Sequence, residues 1–472
     1  MAFRTVISNK IPMVVILGAT GTGKTKLSLE LAQKFGTEII SADSMQIYKG
    51  LNIVTAKASS QERKLVPHHL LDILEPHQNF TVVDFRNRAL KIIDDLTVQG
   101  KIPIIVGGTN YYIESIVYKI LVEDMDDTNA LLWDHSRRKR DFIEEDIQES
   151  NKKQAIDKSE IESTENVVRE NENNEDIDIN RDKIKEDVDN EAKFTNEEIH
   201  ARLKAIDPKM AARLHPNNRR KVLRSIEVWL KSGRLHSEVL EEQKLSEGQL
   251  RKPESIVILW LKCEQKVHEE RLDARVESML EEGLIEELLN FHEAHNKQRI
   301  KDGQPPDYTK GIFQTLGFKE FHKYLMLSEE NKNTDDGRRL LKQSIEDMKI
   351  ATRRYARRQN KMVRARFLDI PRREVPPIFE LDTTYLCKWE EEVKNRAINI
   401  IESFIKEAPC IYEPLKPQVH EDKLKIDVHS SNYCDVCKRL IIGDKQYAIH
   451  LTSNRHKKVL EERLPQKYQI CN

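Results

Sequence analysis

Long apolar runs are missing from this 472-residue chain: nowhere do 18 apolar residues follow one another. No membrane-spanning helix is therefore expected. Cysteine is scarce. Of the six, Cys263, Cys387, Cys410, Cys434, Cys437 and Cys471, only Cys434 and Cys437 stand close together, and they have histidine partners. That pattern argues against a disulfide framework and for reduced thiols inside a cell. A surplus of positive charge is missing too: Lys+Arg number 78 against 79 Asp+Glu, net −1. A nucleic-acid binder of this composition has to distribute its charge unevenly. It does: between Asp141 and Lys193 there are 19 acidic and 8 basic residues, with no Gly, no Pro and one aromatic, Phe142, which leaves the rest of the chain net +10. Such a segment buries too little apolar surface to order itself well. It reads as a flexible or loosely helical insertion, with a solvated helical hairpin as the alternative. The length calls for two or three domains.

What is present begins with Gly18-Ala19-Thr20-Gly21-Thr22-Gly23-Lys24-Thr25, a complete G-x-x-x-x-G-K-[ST] phosphate-loop motif. It follows an apolar run, Met13 to Leu17, that reads as a buried strand. It precedes a helix-like stretch, Lys26 to Phe35. The glycines let backbone N–H groups turn toward phosphate oxygens, Lys24 adds a point charge, and the Thr25 hydroxyl suits Mg²⁺. The helix N-terminus behind the loop favours an anion.

A second strand, Thr37 to Ser41, runs into Asp43-Ser44-Met45-Gln46-Ile47-Tyr48, and a third, Ile102 to Val106, runs into Gly107-Gly108-Thr109. Ligands of parallel α/β sheets sit beyond the carboxyl ends of the strands. Asp43 and Thr109 should therefore flank the loop, although an Asp in this position also serves as a helix cap or a Mg²⁺ ligand. The apolar strand that carries a terminal Mg²⁺-binding Asp in ATP-hydrolysing relatives of the loop is not found: one candidate ends in Gly-Gly-Thr, another, Ile256 to Leu261, in Lys262-Cys263. A polyphosphate other than a nucleoside triphosphate fits better. A phosphate-loop kinase of a small substrate and a non-catalytic, nucleotide-regulated RNA-binding protein stay open as alternatives.

Cys434-x2-Cys437-x12-His450-x5-His456 has the spacing of a tetrahedral Zn²⁺ site. Four protein ligands leave no open position, so the metal would be structural. Lys438, Arg439, Arg455, Lys457 and Lys458 flank it, which suits RNA phosphates. Lys349 to Arg366 reads as a helix with Arg353, Arg357, Lys361 and Arg364 on one face. With no acid in that stretch, the stripe is expected to be unpaired and to bind phosphate. Between Pro371 and Pro417 a helix-like stretch and proline-rich joints suggest a tether.

These pieces together resemble the tRNA dimethylallyltransferases (tRNA isopentenyltransferases). Beyond the phosphate loop, Asp43 to Tyr48 resembles the family's D-S-x-Q-x-Y, followed in family order by Thr55-Ala56-Lys57, Pro67-His68-His69 and Gly107-Gly108-Thr109. Asp207-Pro208 through Ala211, His215-Pro216-Asn217, Arg224 and Glu227 resemble D-P-x-x-A…H-P-N…R-x-x-E. Gly311 to Glu320 resembles G-I-x-Q-x-I-G-Y-K-E, and Thr352 to Gln359 resembles T-R-x-Y-A-x-R-Q. The matches cover roughly residues 11–125 and 195–370. Asn218-Arg219-Arg220 departs from the family's usual pattern.

The resemblance implies transfer of a dimethylallyl group from its diphosphate to N6 of the adenosine immediately 3′ of the anticodon. It implies an α/β, phosphate-loop-NTPase-like parallel sheet with a helical insertion domain and, as in some eukaryotic members, a small C-terminal zinc finger. The expected layout is 1–125 for the first part of the core, 126–200 for the insertion, 201–370 for the second part with tRNA-binding helices, 371–425 for a linker and 426–472 for the finger. Residues Gly18 to Thr25 would hold the diphosphate, with Lys24, Arg224 and Lys119 as clamps. Asp43 would accept the N6 hydrogen bond and late proton. Thr109 and Gln46 would hold the base, and Ser44, Gln314, Arg353 and Arg357 would contact tRNA. Mg²⁺ at Thr25 and structural Zn²⁺ are the expected metals. The tRNA anticodon stem-loop and dimethylallyl diphosphate are the expected partners of a monomer. Residence is expected in the cytosol. Arg4 and Lys10 near the N-terminus leave mitochondria open, and Arg137-Arg138-Lys139-Arg140, better read as a solvated turn, leaves the nucleus open.

Overall fold

A computed structural model describes residues 11–76, 78, 80–119, 181–246, 248–253, 255–297, 311–370, 373–417 and 431–463. The basic run 137–140, the acidic tract up to residue 180, residues 1–10 and Cys471 lie outside the described residues. The chain divides into two compact units, Met1–Glu123 with Ser246–His420, and Asp124–Leu245 with Glu421–Asn472.

The first unit is built on six parallel strands: β1 (Met13–Gly18), β2 (Ile39–Ser41), β3 (His68–His69), β4 (Ile104–Val106), β5 (Ile256–Lys262) and β6 (Ile378–Asp382). Their order is β3-β2-β4-β1-β5-β6. Val15 pairs with Ile105 on one side of β1 and with Ile258 on the other. Both faces of the sheet are covered, which is why β1 and β5 read as continuous apolar runs rather than alternating ones. Val15, Leu17, Ile105, Ile258 and Trp260 face one core; Val14, Ile16, Ile104, Val257, Leu259 and Leu261 face the other. The principal helices of the unit are α1 (Lys24–Phe35), α2 (Val82–Val98), α3 (Asn110–Val117), α4 (Gln265–Glu281), α5 (Leu284–His295), α6 (Asp335–Val363) and α7 (Arg396–Ile405). A Thr81/Asp84 capping box starts α2, satisfying its first N–H groups from both directions.

The stretch expected to be a tether is part of this unit. Ile378 to Asp382 pairs in parallel with β5, and Phe379, Leu381, Trp389, Val393, Ile400 and Ile401 are buried in one core with Leu27 and Leu31. Prolines ahead of a five-residue strand gave it the look of a joint, whereas its apolar residues complete the sheet. A third apolar cluster joins Ile47, Tyr48 and Leu51 to Leu288, Phe291, Ile312, Phe313 and Phe318. Much of the Gly311–Glu320 motif thus holds the segment after Asp43 in place.

In the second unit, helices Asn196–Ile206, Pro208–Arg213, Arg219–Ser232 and His236–Ser246 are present, and Leu203, Ile206, Leu214, Val222 and Ile226 share a core there. Asp207, 1% exposed, accepts from the N–H groups of Met210 (2.9 Å) and Ser237 (2.8 Å). Its motif therefore positions two helix starts. The hairpin of β7 (Ser431–Cys434) and β8 (Arg439–Ile442) is followed by helices Asp444–Thr452 and Asn454–Arg463.

Candidate active site

The ends of β1, β2 and β4 deliver three loops to one edge of the sheet, as strand-end logic expects. The phosphate loop leads into α1 with Gly23 at φ 89° and no side-chain cap. Its first-turn N–H groups are thus without an intrahelical or side-chain partner and favour an anion. A Cβ on Gly23 would come within 2.7 Å of the Trp389 ring. That indole, held by a 2.9 Å bond from Nε1 to Glu30, forms the floor of the loop. Lys24 Nζ donates to the Ala19 carbonyl at 2.7 Å. Burial lowers its pKa to about 8, against a raising contribution from Asp43 and a further lowering one from Arg275.

Asp43 and Thr109 are brought together at the same edge. Asp43 Oδ1 accepts from the Met45 N–H at 2.9 Å, a local turn that fixes the carboxylate. The Thr109 hydroxyl accepts from the Ser44 N–H at 3.1 Å and donates to Ser44 Oγ at 3.3 Å. Tyr355 on α6 lies within range of Asp43; its hydroxyl is held neutral, first by burial and then by the Asp43 charge. Gln46 is placed differently from expectation. Its amide donates to the carbonyls of Thr55 (3.1 Å) and Ala56 (3.2 Å) and accepts from Ser41 (3.2 Å). It braces its own loop.

Three further residues reach the site from α4 and α6, and of them Gln359 closes the Thr352–Gln359 motif. Arg275 on α4 acts on both Lys24 and Asp43 electrostatically and makes no hydrogen bond or ion pair to a described residue. Glu282 and Asp43 both act on the Arg275 charge, Glu282 the more strongly. His268 on α4 lies 2.8 Å through Nε2 from the Thr20 carbonyl; burial keeps its ring from charging, so the neutral tautomer donates this bond. Gln359 on α6 accepts from the Thr20 N–H at 2.9 Å.

The other expected site residues have local settings of their own. Lys119 is exposed beyond α3, whose eight residues span about 12 Å. Arg224, in the second unit, has its guanidinium 3.7 Å from Glu227; Arg275 is a further clamp candidate, in the first unit. Gln314 is exposed and donates only to Gly311 O at 3.3 Å. Two of the four stripe cations are paired, Arg353 with Asp273 and Arg357 with Glu269 (3.2 Å), and Lys349, one turn before them, pairs with Glu277 (2.5 Å). The neutralising acids come from α4, some 80 residues earlier.

The ligand atoms of Cys434, Cys437, His450 and His456 all lie within 4.8 Å of one another. His456 Nδ1 is 3.5 Å from Cys434 Sγ, 3.4 Å from Cys437 Sγ and 3.2 Å from His450 Nε2. The edges of a tetrahedron with Zn–S near 2.3 Å and Zn–N near 2.0 Å are roughly 3.3–3.8 Å, so the cluster could hold such an ion. Lys438, Arg439, Arg455, Lys457 and Lys458 are exposed around it.

A parallel α/β sheet with a phosphate loop, a second cation and a carboxylate on one edge defines an enzyme that handles a polyphosphate beside an acceptor needing a proton taken. The family models described as IPP transferase and isopentenyl transferase match residues 46–366 and 11–72. The human tRNA dimethylallyltransferase is 41% identical over 464 residues, 97% of this chain and 87% of its own. That of Saccharomyces cerevisiae is 32% identical, covering 95% and 92%. A solved eukaryotic dimethylallyltransferase acting on tRNA superposes with a TM-score of 0.68 at 29% identity, covering 95% of this chain and 96% of that one. The chain belongs to the tRNA dimethylallyltransferase family.

Proposed function

We propose that this enzyme transfers a dimethylallyl group from dimethylallyl diphosphate to N6 of the adenosine immediately 3′ of the anticodon in tRNA, releasing diphosphate. The observation that carries the reading is that one sheet edge carries both the phosphate loop with Lys24 and the Asp43–Thr109 turn, with Arg275 close enough to act on Lys24 and Asp43. The diphosphate seats on the loop and the uncapped start of α1. Lys24 exchanges its Ala19 carbonyl for phosphate oxygens, and Arg275 meets the same anion. As the C1–O bond breaks, its electron pair goes to the diphosphate, where both cations stabilise the developing charge. N6 forms the new bond to C1. An adenine amino group is a poor nucleophile, so Asp43 orients it by accepting its hydrogen bond and takes the proton as the N6–C1 bond forms. The base must leave the anticodon-loop stack to reach this edge.

The Thr25 hydroxyl is exposed and makes no side-chain hydrogen bond to a described residue. It fits as a single hard ligand for Mg²⁺ shared with diphosphate oxygens, where the ion would neutralise leaving-group charge. The Cys₂His₂ cluster would hold structural Zn²⁺. One chain carries every group named here, so the monomer is the proposed working form.

The test is incubation of the protein with Mg²⁺, dimethylallyl diphosphate and unmodified tRNA, then digestion to nucleosides and mass spectrometry. An adenosine heavier by one C5H8 unit is expected. With Asp43→Ala, turnover should fall about 10²–10⁴-fold while tRNA still binds. Consumption of ATP with phosphorylation of a small acceptor, and no such nucleoside, would overturn the reading in favour of a kinase.

A further inference from the structure

Gln359 is 4% exposed and touches both halves of the site. Its Oε1 accepts from the Thr20 N–H of the phosphate loop at 2.9 Å. Its Nε2 donates to the Gly108 carbonyl at 3.2 Å, one residue before Thr109. Only one orientation of the carboxamide satisfies both contacts, because a flip would set donor against donor and acceptor against acceptor. The fit is tight: a Cβ on Gly108 would drive into Nε2. The Gln359 carbonyl accepts from Asn110 Nδ2 at 3.2 Å, and Asn110 is itself 3% exposed. The Thr20 carbonyl is held from the other side by His268 at 2.8 Å. Both backbone polar groups of Thr20 are therefore fixed by α4 and α6, and the loop shifts only if those helices or the Gly-Gly-Thr turn shift with it.

We propose that Gln359 is a positioning residue that couples the two substrate sites, so that diphosphate on the loop raises affinity for the RNA at the Asp43–Thr109 turn, and the reverse. This rests on the transfer reading above, which places the adenosine at that turn. Coupling of this kind is reciprocal and commonly amounts to about 5–150-fold. Gln359 does not touch the reacting atoms; it acts through Thr20 and Gly108.

The experiment titrates inorganic pyrophosphate with Mg²⁺ into the full-length protein, with and without an unmodified anticodon stem-loop RNA, and compares the two dissociation constants. The wild-type protein should show a ratio of at least about fivefold. Gln359→Glu keeps the acceptor for Thr20 but sets an oxygen against the Gly108 carbonyl, and its ratio should fall to within twofold of one. Gly108→Ala displaces the same amide from the opposite side and should do likewise. A wild-type ratio of one, or a wild-type ratio retained in Gln359→Glu, overturns the proposal. The readout does not depend on turnover: a protein that couples pyrophosphate to RNA but makes no modified adenosine would sink the transfer reading and leave this one standing.

Discussion

One guanidinium nitrogen of Arg353 reaches both carboxylate oxygens of Asp273, joining α6 to α4. It is the middle rung of three, between Lys349–Glu277 and Arg357–Glu269. These rungs register the helix carrying Tyr355 and Gln359 against the helix carrying His268 and Arg275. A face that looked like an RNA contact is engaged in aligning the site.

Arg353→Glu should therefore act on stability before it acts on RNA. The pair is partly exposed, so its loss is expected to cost about 1 kcal/mol and to lower the melting temperature by about 2–4 °C. Adding Asp273→Arg should restore most of it. The salt dependence of RNA binding should not change; a slope reduced by about one would return Arg353 to the phosphate-contacting residues.

Arg275 is proposed as a diphosphate clamp in the first unit, beside Lys24. Arg275→Ala should lower kcat/KM for dimethylallyl diphosphate by about 10²–10³-fold with an unaltered melting curve. A loss smaller than tenfold in steady-state kinetics would remove it from the step.

The lowered pKa of Lys24, about 8, gives diphosphate binding a pH dependence. A bound anion raises that pKa, so the complex keeps a proton that the free protein sheds above pH 8. Affinity should be full below about 8 and decline as pH climbs beyond it. The free protein behaves oppositely: an unfolded Lys24 titrates near 10.5 and holds more protons between about 8 and 10.5, so stability rises with pH across that window. Calorimetry of Mg-pyrophosphate binding at about pH 8.5, just above the free-protein value of Lys24, in buffers of different ionisation enthalpy should register proton uptake. Heats that are the same in every buffer would contradict it.

Cys434 is 2% exposed among the other three ligands. Cys434→Ser should abolish a one-to-one zinc stoichiometry and weaken RNA binding, while the melting transition of the sheet-bearing unit stays in place. Loss of that transition as well would mean the finger is not a separate module.

Legibility followed distance along the chain. The phosphate loop, Asp43 and Thr109 were readable because each sits within a few residues of the strand that positions it. The second and third strands begin two residues later than their apolar runs, at Ile39 and Ile104, since Thr37 and Ile102 serve as lead-in. His268 and Arg275 were not readable as site residues, and Gln359, though it closes the Thr352–Gln359 motif, carried no sign of its contact with the phosphate loop. They meet Thr20 and Lys24 across 248 to 339 positions, and each alone is an ordinary helical residue. Lys119 is close to Thr109 in sequence, and a helix, Asn110–Val117, separates the two.

The floor beneath Gly23 is a side chain 366 positions downstream of it, Trp389. At a synthesis rate of about 5–20 residues per second, a nascent phosphate loop waits on the order of tens of seconds for that indole. From the completion of β5 until β6 is made, the apolar edge of β5 is open to pairing with other chains. Any message or protease product that stops short of β6 releases the loop unsupported and that edge uncovered, so partial chains should be cleared or aggregate rather than persist as weak enzymes.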